Sequence, residues 1–189
     1  MDALHTRLTK MRDSFRDLHS ALDFLQCEEG AFDTVKQIIT QQGYQKARLF
    51  FVGNGGSAAI ASHMATDFMK NGEFATFCFN DGPLLTCITN DLGYENSFWL
   101  PIEQHGMLGD VLFAISSSGK SKNILCAVNA AKSKRMNVIT LSGFSAHNPL
   151  RGMGSVNFYV PSNHYGTVEI AHLAILHSIL DEMMEDERK

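Results

Sequence analysis

The sequence predicts an α/β fold: a doubly wound, five-stranded parallel sheet flanked by helices, with a long N-terminal helix before it. Five short runs are apolar throughout, which is typical of parallel strands that are buried on both faces. Helical patterns separate several of these runs, as they do in doubly wound sheets. No internal repeat, low-complexity segment or linker divides the 189 residues, so a single domain over residues 1–189 is expected.

The N-terminal segment, residues 1–42, predicts two helices. Apolar residues recur there at steps of three and four and form one stripe, made of Leu4, Leu8, Met11, Phe15, Leu18, Leu22 and Leu25. The stripe predicts a helix from Asp2 to Gln26, and a second helix is expected from Ala31 to Gln42. The long helix could cover the sheet or another subunit. We favour a subunit contact, because a long helix outside a compact core often has no other surface to bury.

The remaining apolar runs alternate with helical patterns. The predicted strands are Leu49–Val52, Ala75–Phe79, Asp110–Ile115, Met136–Leu141 and Val156–Val160. One predicted helix starts at Ser57, and the others cover Pro83–Thr89, Asn123–Lys132 and Gly166–Glu185. In such sheets ligands bind beyond the carboxyl ends of the strands, so the residues that follow each strand are the candidate site.

A glycine-rich turn follows the first strand. The turn Gly53–Ser57 can adopt positive φ angles and bring backbone close to a ligand, with Ser57 as the expected N-cap of the next helix. Free N–H groups and the helix dipole at that point suit a phosphate. The turn matches neither the dinucleotide fingerprint nor the lysine-bearing P-loop, so by itself it fits a simple chain reversal equally well.

A serine-rich turn, Ser116–Ser121, follows the third predicted strand and leads into a helix at about Asn123. Its hydroxyls and loop N–H groups again suit a phosphate. A serine-rich turn alone is usually a solvated loop. Two anion-suited loops at the same edge of one sheet favour the functional interpretation.

Titratable side chains lie on two of the predicted helices. His63 and Asp67 are four residues apart and share a face, which suits an acid/base or metal pair, although a lone helix histidine is more often structural. The last helix carries Glu169, His172 and His177 within a largely apolar circumference. Buried polar groups need partners, so these three predict either a polar site or a hydrogen-bonded network within the core.

Composition narrows the function classes. The formal charge is −4 and no Lys/Arg cluster offsets it, which argues against nucleic acid as a partner. The four cysteines lack CxxC spacing, which indicates free thiols in a reducing compartment. The N-terminus is charged and no apolar run approaches membrane-spanning length, so no membrane contact and a cytoplasmic location are expected.

Four motifs in order carry a family resemblance. FFVGNGGSAAIASHMATDF, LTCITNDLGYENSF, GDVLFAISSSGKSKNILCAVNAAKSKRMNVITLSG and the EIAHLAILH helix resemble the phosphoheptose isomerases of the sugar-isomerase (SIS) fold group. The likeness covers roughly Gly30 to Met184. It implies a five-stranded parallel sheet between helices, and a homotetramer whose N-terminal helices help to build the assembly.

The resemblance also implies an activity and its residues. The reaction would convert sedoheptulose 7-phosphate to D-glycero-D-manno-heptose 7-phosphate, the first step toward bacterial surface heptose, through an enediol and with zinc as the metal. Asp67, His177 and Glu169 would be catalytic, and the metal ligands would be His63, Asp67, Glu169 and His177. The substrate would contact a larger set, made of Asn54, Gly55, Gly56, Ser57, Asn90, Asp91, Ser116, Ser117, Ser118 and Ser121.

The chemistry requires such residue types. A ketose-to-aldose shift needs one group that takes a proton and another that stabilises the developing oxyanion. A divalent metal can polarise the carbonyl, and histidine with carboxylate suits zinc.

The chain departs from the family pattern at three positions, with Asp67 in place of Glu, Glu169 in place of Gln and Lys70 near the usual Arg. Glu169 and His177 are about 80° out of phase on a helix, so His172 is the rival ligand.

A second function class is a non-catalytic module. The same fold group includes an adaptor that stimulates the bacterial replication initiator and sugar-phosphate-sensing domains of regulators. Both histidines and two carboxylates remain in the implied positions here, which favours an enzyme. The discriminating observation is a metal that touches His63 and His177.

Overall fold

The structure, a computed structural model, describes residues 3–40 and 47–187. Within these ranges the helices are α1 Ala3–Asp23, α2 Ala31–Thr40, α3 Gly56–Lys70, α4 Gly82–Leu92, α5 Trp99–His105, α6 Lys122–Ser133 and α7 Tyr165–Glu187. The strands are β1 Leu49–Val52, β2 Thr76–Cys78, β3 Val111–Ser116, β4 Asn137–Ser142 and β5 Val156–Tyr159. Two short 3₁₀ turns lie at Tyr94–Asn96 and Pro149–Gly152.

The five strands form one parallel sheet in the order β2-β1-β3-β4-β5, which confirms the predicted fold class. The chain proceeds from β1 to β2 on one side and then returns past β1 to β3 on the other. The loops after β1 and β3 therefore open a crevice at the switch point of the sheet, where ligands of doubly wound folds bind.

Alternate side chains of the central strands enter two different cores. Phe51 stacks on Phe113 at 4.7 Å between ring centroids, on the face that α3 and α7 cover. Phe50 and Leu112 point to the opposite face, where α6 packs. Every residue of β1 and β3 is buried, so the uninterrupted apolar runs follow from helices on both sides of the sheet.

An ion pair fixes the amino ends of the two central strands. Arg48 donates from Nε to Asp110 Oδ1 at 3.0 Å and from Nη2 to Asp110 Oδ2, and Nη2 also donates to the His105 carbonyl oxygen at 2.9 Å. The Met107 N–H donates to the other carboxylate oxygen of Asp110 at 2.8 Å. This bidentate pair lies just before β1 and β3, at the edge of the sheet opposite the crevice.

Sequence reasoning placed most elements within two or three residues of their observed bounds. The helix α5 was missed, because it has only seven residues and no long periodic pattern. The predicted end of the second helix, at Gln42, lies outside the described residues, as does the predicted start of the first helix at Asp2.

The helix α1 packs on α7, and its buried positions lie in its C-terminal half. Ala21 is buried and Leu18 is partly buried there, whereas Leu8, Met11 and Phe15 are exposed. A cavity of about 550 Å³ lies between Met11 and Phe15 on one side and the start of α7 on the other. Among the described residues, none of the helices combines the length and apolarity that crossing a membrane would require.

Candidate active site

The loops after β1 and β3 and the start of α7 enclose a cavity of about 240 Å³ at the switch point. Its lining comprises Asn54, Gly55, Gly56, Ser57, Ile115, Ser116, Ser117, Ser118, Ser121, Tyr165 and Glu169. Eight of the ten substrate-binding residues expected from sequence are in this set. Tyr165 was not anticipated, because a single tyrosine before a helix carries no pattern of its own.

The backbone of the glycine loop brings the chain sharply from β1 into α3. A Cβ at Gly53 would collide with the backbone of Ser57 and Ala58, so only glycine permits this close approach. Gly55, at φ 55°, is the N-cap of α3 and makes no side-chain cap hydrogen bond. Ser57 was predicted as the N-cap; instead, it lies buried within the first turn. The N–H groups of Ala58 and Ala59 donate to the Gly55 carbonyl oxygen at 3.0 and 3.1 Å, which leaves those of Gly56 and Ser57 as the donors at the cavity.

The serine loop presents hydroxyls whose hydrogens are not committed to the backbone. Ser116 Oγ accepts from the Gly119 N–H at 3.2 Å, and Ser118 Oγ accepts from the Lys120 N–H at 3.3 Å. Ser121 is the N-cap of α6 and makes no side-chain cap hydrogen bond. Because an accepting hydroxyl keeps its own hydrogen for another partner, Ser118 can donate to an anion. The hydrogen of Ser116 lies toward Ser121 Oγ at a long 3.4 Å and can turn from there to an anion.

A group of three metal-ligand types forms where α3 and α7 lie side by side. His63 Nε2 is 3.3 Å from His177 Nε2 and 3.4 Å from Asp67 Oδ2. His177 Nδ1 is 4.0 Å from the same carboxylate oxygen. The three side chains are 51%, 38% and 22% exposed for His63, His177 and Asp67, so solutes reach them directly. One ligand atom from each lies within 4.8 Å of the others, and this group could hold a metal ion.

Glu169 lies apart from this group. It lines the loop cavity, and a Cβ at Gly56 would collide with its carboxylate. Glu169 precedes His177 by eight residues, which is about 12 Å along a helix. The structure therefore brings together three of the four predicted metal ligands and places Glu169 on the side of the cavity.

His172, the rival ligand, points away from the group and into the core. Its side chain is completely buried, and Nε2 lies 3.2 Å from the Ser142 carbonyl oxygen at the end of β4. Burial lowers the pKa of His172 from 6.5 to about 4, because a charged imidazole would lose its hydration there. The neutral ring therefore donates from Nε2 to the Ser142 carbonyl oxygen. His172 is not available as a metal ligand beside His63 and Asp67.

Asn90 and Asp91 do not line the loop cavity. They lie exposed in the last turn of α4, where Asn90 Nδ2 donates to Asp91 Oδ1 at 2.8 Å. Sequence reasoning also missed Asn123, which is buried in the first turn of α6 and hydrogen-bonded to Asn54 at 2.8 Å. A polar residue at a buried helical position was the signal that could have found it.

Comparison with known proteins places this geometry in context. The SIS domain family matches residues 15–143. A phosphoheptose isomerase of Haemophilus ducreyi is 36% identical over 150 residues, which cover 76% of each chain. One of Vibrio vulnificus is 34% identical over 163 residues, which cover 82% of this chain and 83% of the relative.

Solved structures show the same likeness. A phosphoheptose isomerase of Neisseria gonorrhoeae superposes with a TM-score of 0.82 at 28% identity, covering 96% of this chain and 98% of that one.

We predict that His172 makes the protein less stable in acid. The unfolded chain takes up a proton near pH 6.5, whereas the folded chain resists it down to about pH 4. The free energy of unfolding should therefore fall by about 3 kcal/mol as the pH drops through that window. Denaturant unfolding between pH 7.5 and 4 measures this effect.

The matched variant is His172→Gln, which keeps an N–H donor but does not titrate. Its free energy of unfolding should change less over the same window, whereas the exposed His147→Gln should behave like the wild type. Parallel pH profiles for the wild type and His172→Gln would contradict the burial account.

Proposed function

Because this chain belongs to the phosphoheptose isomerase family of SIS-domain proteins and is a sugar-phosphate isomerase, we propose that it converts sedoheptulose 7-phosphate to D-glycero-D-manno-heptose 7-phosphate. One observation carries this proposal. The loop cavity and the His63–Asp67–His177 group are built on the same two helices, α3 and α7. A linear seven-carbon ketose phosphate has the same layout, with its anion at one end and its reacting carbons at the other.

The phosphate end belongs in the loop cavity. Ser116, Ser118 and Ser121 supply hydroxyl donors there, and the N-termini of α3 and α6 add backbone N–H groups and a favourable dipole. Ser117 is buried and its Oγ has no partner among the described residues, so it also belongs to this candidate subsite. The backbone of Gly55 and Gly56 with Asn54 and Ser57 would hold the adjoining part of the sugar.

The proton transfer requires a carboxylate and a partner. Asp67 lies between two imidazoles and Glu169 lies in the cavity itself, so either carboxylate could take the proton between adjacent carbons. His177 would act as the acid/base partner at the substrate oxygens. As the resemblance implies, Asn90 and Asp91 would contact sugar hydroxyls; Tyr94, three residues on, donates to Asn54 at 2.9 Å.

The His63–Asp67–His177 group fits a divalent metal by its chemistry. Two imidazole nitrogens and one carboxylate oxygen are a donor set that zinc prefers. We propose zinc at these three residues. Glu169, the fourth ligand that the resemblance implies, lines the loop cavity instead and would act on the substrate there. A bound zinc ion would supply Lewis acidity for the substrate carbonyl.

The assembly is part of the proposal. Leu8, Met11 and Phe15 remain exposed along α1, and Met11 and Phe15 border an open cavity together with Ile170 of α7. An exposed apolar stripe of this kind marks a protein interface. We therefore propose a homotetramer in which the N-terminal segment, residues 1–42, contributes to the subunit contacts.

The phosphate subsite predicts a selective loss of substrate affinity. Replacing Ser116, Ser118 and Ser121 together by Ala should raise KM for the sugar phosphate by about a hundredfold or more, since hydrogen bonds to a charged group are each worth about 1.5–3 kcal/mol. Steady-state kinetics and thermal unfolding measure the two effects. Ser133→Ala, which removes a hydroxyl that donates to Ala130 within α6, is the control. An unchanged KM in a folded triple variant would contradict the assignment of these serines to the substrate phosphate.

The metal group predicts that His177→Ala loses both bound metal and isomerase activity. Elemental analysis of the purified protein should find about one zinc per chain in the wild type and much less in the variant. His147→Ala removes an exposed histidine from another loop and should retain full metal content. If metal and activity both survive in His177→Ala, the group does not have the proposed role.

The assembly predicts a particle four times the chain mass of 20.9 kDa in sedimentation at micromolar concentration. The double change Leu8→Glu with Phe15→Glu should shift the protein to smaller species, because it places charges within the apolar stripe. Leu108→Glu changes a residue that is 74% exposed at the amino end of β3 and serves as the control. A wild-type monomer would count decisively against the tetramer.

A further inference from the structure

An asparagine pair connects the loop after β1 with the helix that follows the serine loop. Asn54 Nδ2 donates to Asn123 Oδ1 at 2.8 Å, and Asn123 Nδ2 donates back to Asn54 Oδ1 at 2.8 Å. Asn54 lines the cavity, whereas Asn123 is only 1% exposed. The pair thus connects a residue that can touch a ligand to one that cannot.

Asn123 has no hydrogen-bonding capacity left for a substrate. Its second Nδ2 hydrogen goes to Ser97 Oγ at 3.1 Å, and its Oδ1 also accepts from the Ile124 N–H at 3.0 Å. Ser97 is fully buried as well. All four hydrogen bonds that a side-chain amide can form are therefore made, and the rotation of this amide is fixed in the core.

Hydrogen bonds within the protein occupy only part of the Asn54 amide. Its Oδ1 accepts from Asn123 and from the Tyr94 hydroxyl at 2.9 Å, which uses both lone pairs. Its Nδ2 gives one hydrogen to Asn123 and retains the other. At the cavity, Asn54 can therefore act as a donor and not as an acceptor.

We propose that Asn123 is a positioning residue, which holds Asn54 so that its remaining Nδ2 hydrogen binds an acceptor oxygen of the substrate. This inference rests on the proposed isomerase function. The Asn54 amide then selects ligands that carry a carbonyl or another lone-pair oxygen at that point. A free Asn54 amide could flip and accept from a hydroxyl instead.

The pair also sets the spacing of the two loops. Asn123 lies two residues after Ser121, so it connects the glycine loop to the end of the serine loop. One substrate must reach both loops at once, and a preformed spacing avoids the entropy cost of ordering them on binding. Loss of Asn123 should therefore weaken binding of the whole sugar phosphate more than binding of inorganic phosphate.

A double-mutant cycle tests whether Asn123 acts through Asn54. Asn54→Ala and Asn123→Ala should each lower kcat/KM by about tenfold or more, while the double variant should be no worse than Asn54→Ala alone within about threefold. Calorimetry with inorganic phosphate should give a Kd within about threefold of the wild type for Asn123→Ala. Additive losses, an unchanged kcat/KM, or an equal loss of phosphate affinity would each overturn the proposal.

The control is Asn157→Ala, whose Nδ2 donates to Thr140 Oγ1 at 2.7 Å between β5 and β4. It should lower thermal stability as Asn123→Ala does but leave kcat/KM unchanged.

If Asn123→Ala does not fold, side-chain amide NMR of the unliganded wild type decides instead. Resolved Asn54 and Asn123 amide signals protected from exchange support the proposal, and averaged Asn54 signals overturn it. An inactive wild type with protected signals would refute the isomerase function while leaving the asparagine pair intact.

Discussion

The parallel pairing of β1 with β3 is the constraint on which the site depends. Four consecutive residues of β1 are in register with β3, so the two strands end at the same edge of the sheet. Each strand is followed by a loop that leads into a helix N-terminus, and two positive dipole ends therefore face one crevice. An antiparallel partner would have sent one loop to the opposite edge, and the serine and glycine loops could not have shared a cavity.

The second condition is the contact between α3 and α7. These helices cover the same face of the sheet and bury apolar residues in the same core. That packing holds the polar side chains of the two helices next to each other. His63 and Asp67 lie on one face of α3 by helical periodicity alone, but His177 reaches them only because α7 returns to this face from the far end of the chain. Packing of apolar residues thus assembles the polar group.

Buried polar residues show how strictly this arrangement is maintained. His172 and Asn123 both lie in the core behind the candidate site. Asn123 makes all four hydrogen bonds of its amide, whereas His172 bonds through Nε2 and its Nδ1 has no partner among the described residues. His172 contacts Ser142, and the neighbouring Gly143 N–H donates to the Ser117 carbonyl oxygen at 3.0 Å in the serine loop. Polar groups in such positions are costly unless they are paired, so they favour one conformation of the loops over others.

The sequence by itself determined the parallel sheet, the two anion-suited loops and the helical pair of His63 with Asp67. Those features follow from local periodicity and turn chemistry, which a short stretch of chain contains in full. Tertiary structure alone decided that His177 joins that pair, that Glu169 belongs to the cavity, and that His172 faces the core. It also revealed Asn123 as the partner of Asn54. Glu169 and His177, eight residues apart, are separated, whereas Asn54 and Asn123, 69 residues apart, are in contact. Both results depend on how whole helices pack on the sheet, and no local sequence pattern contains that information.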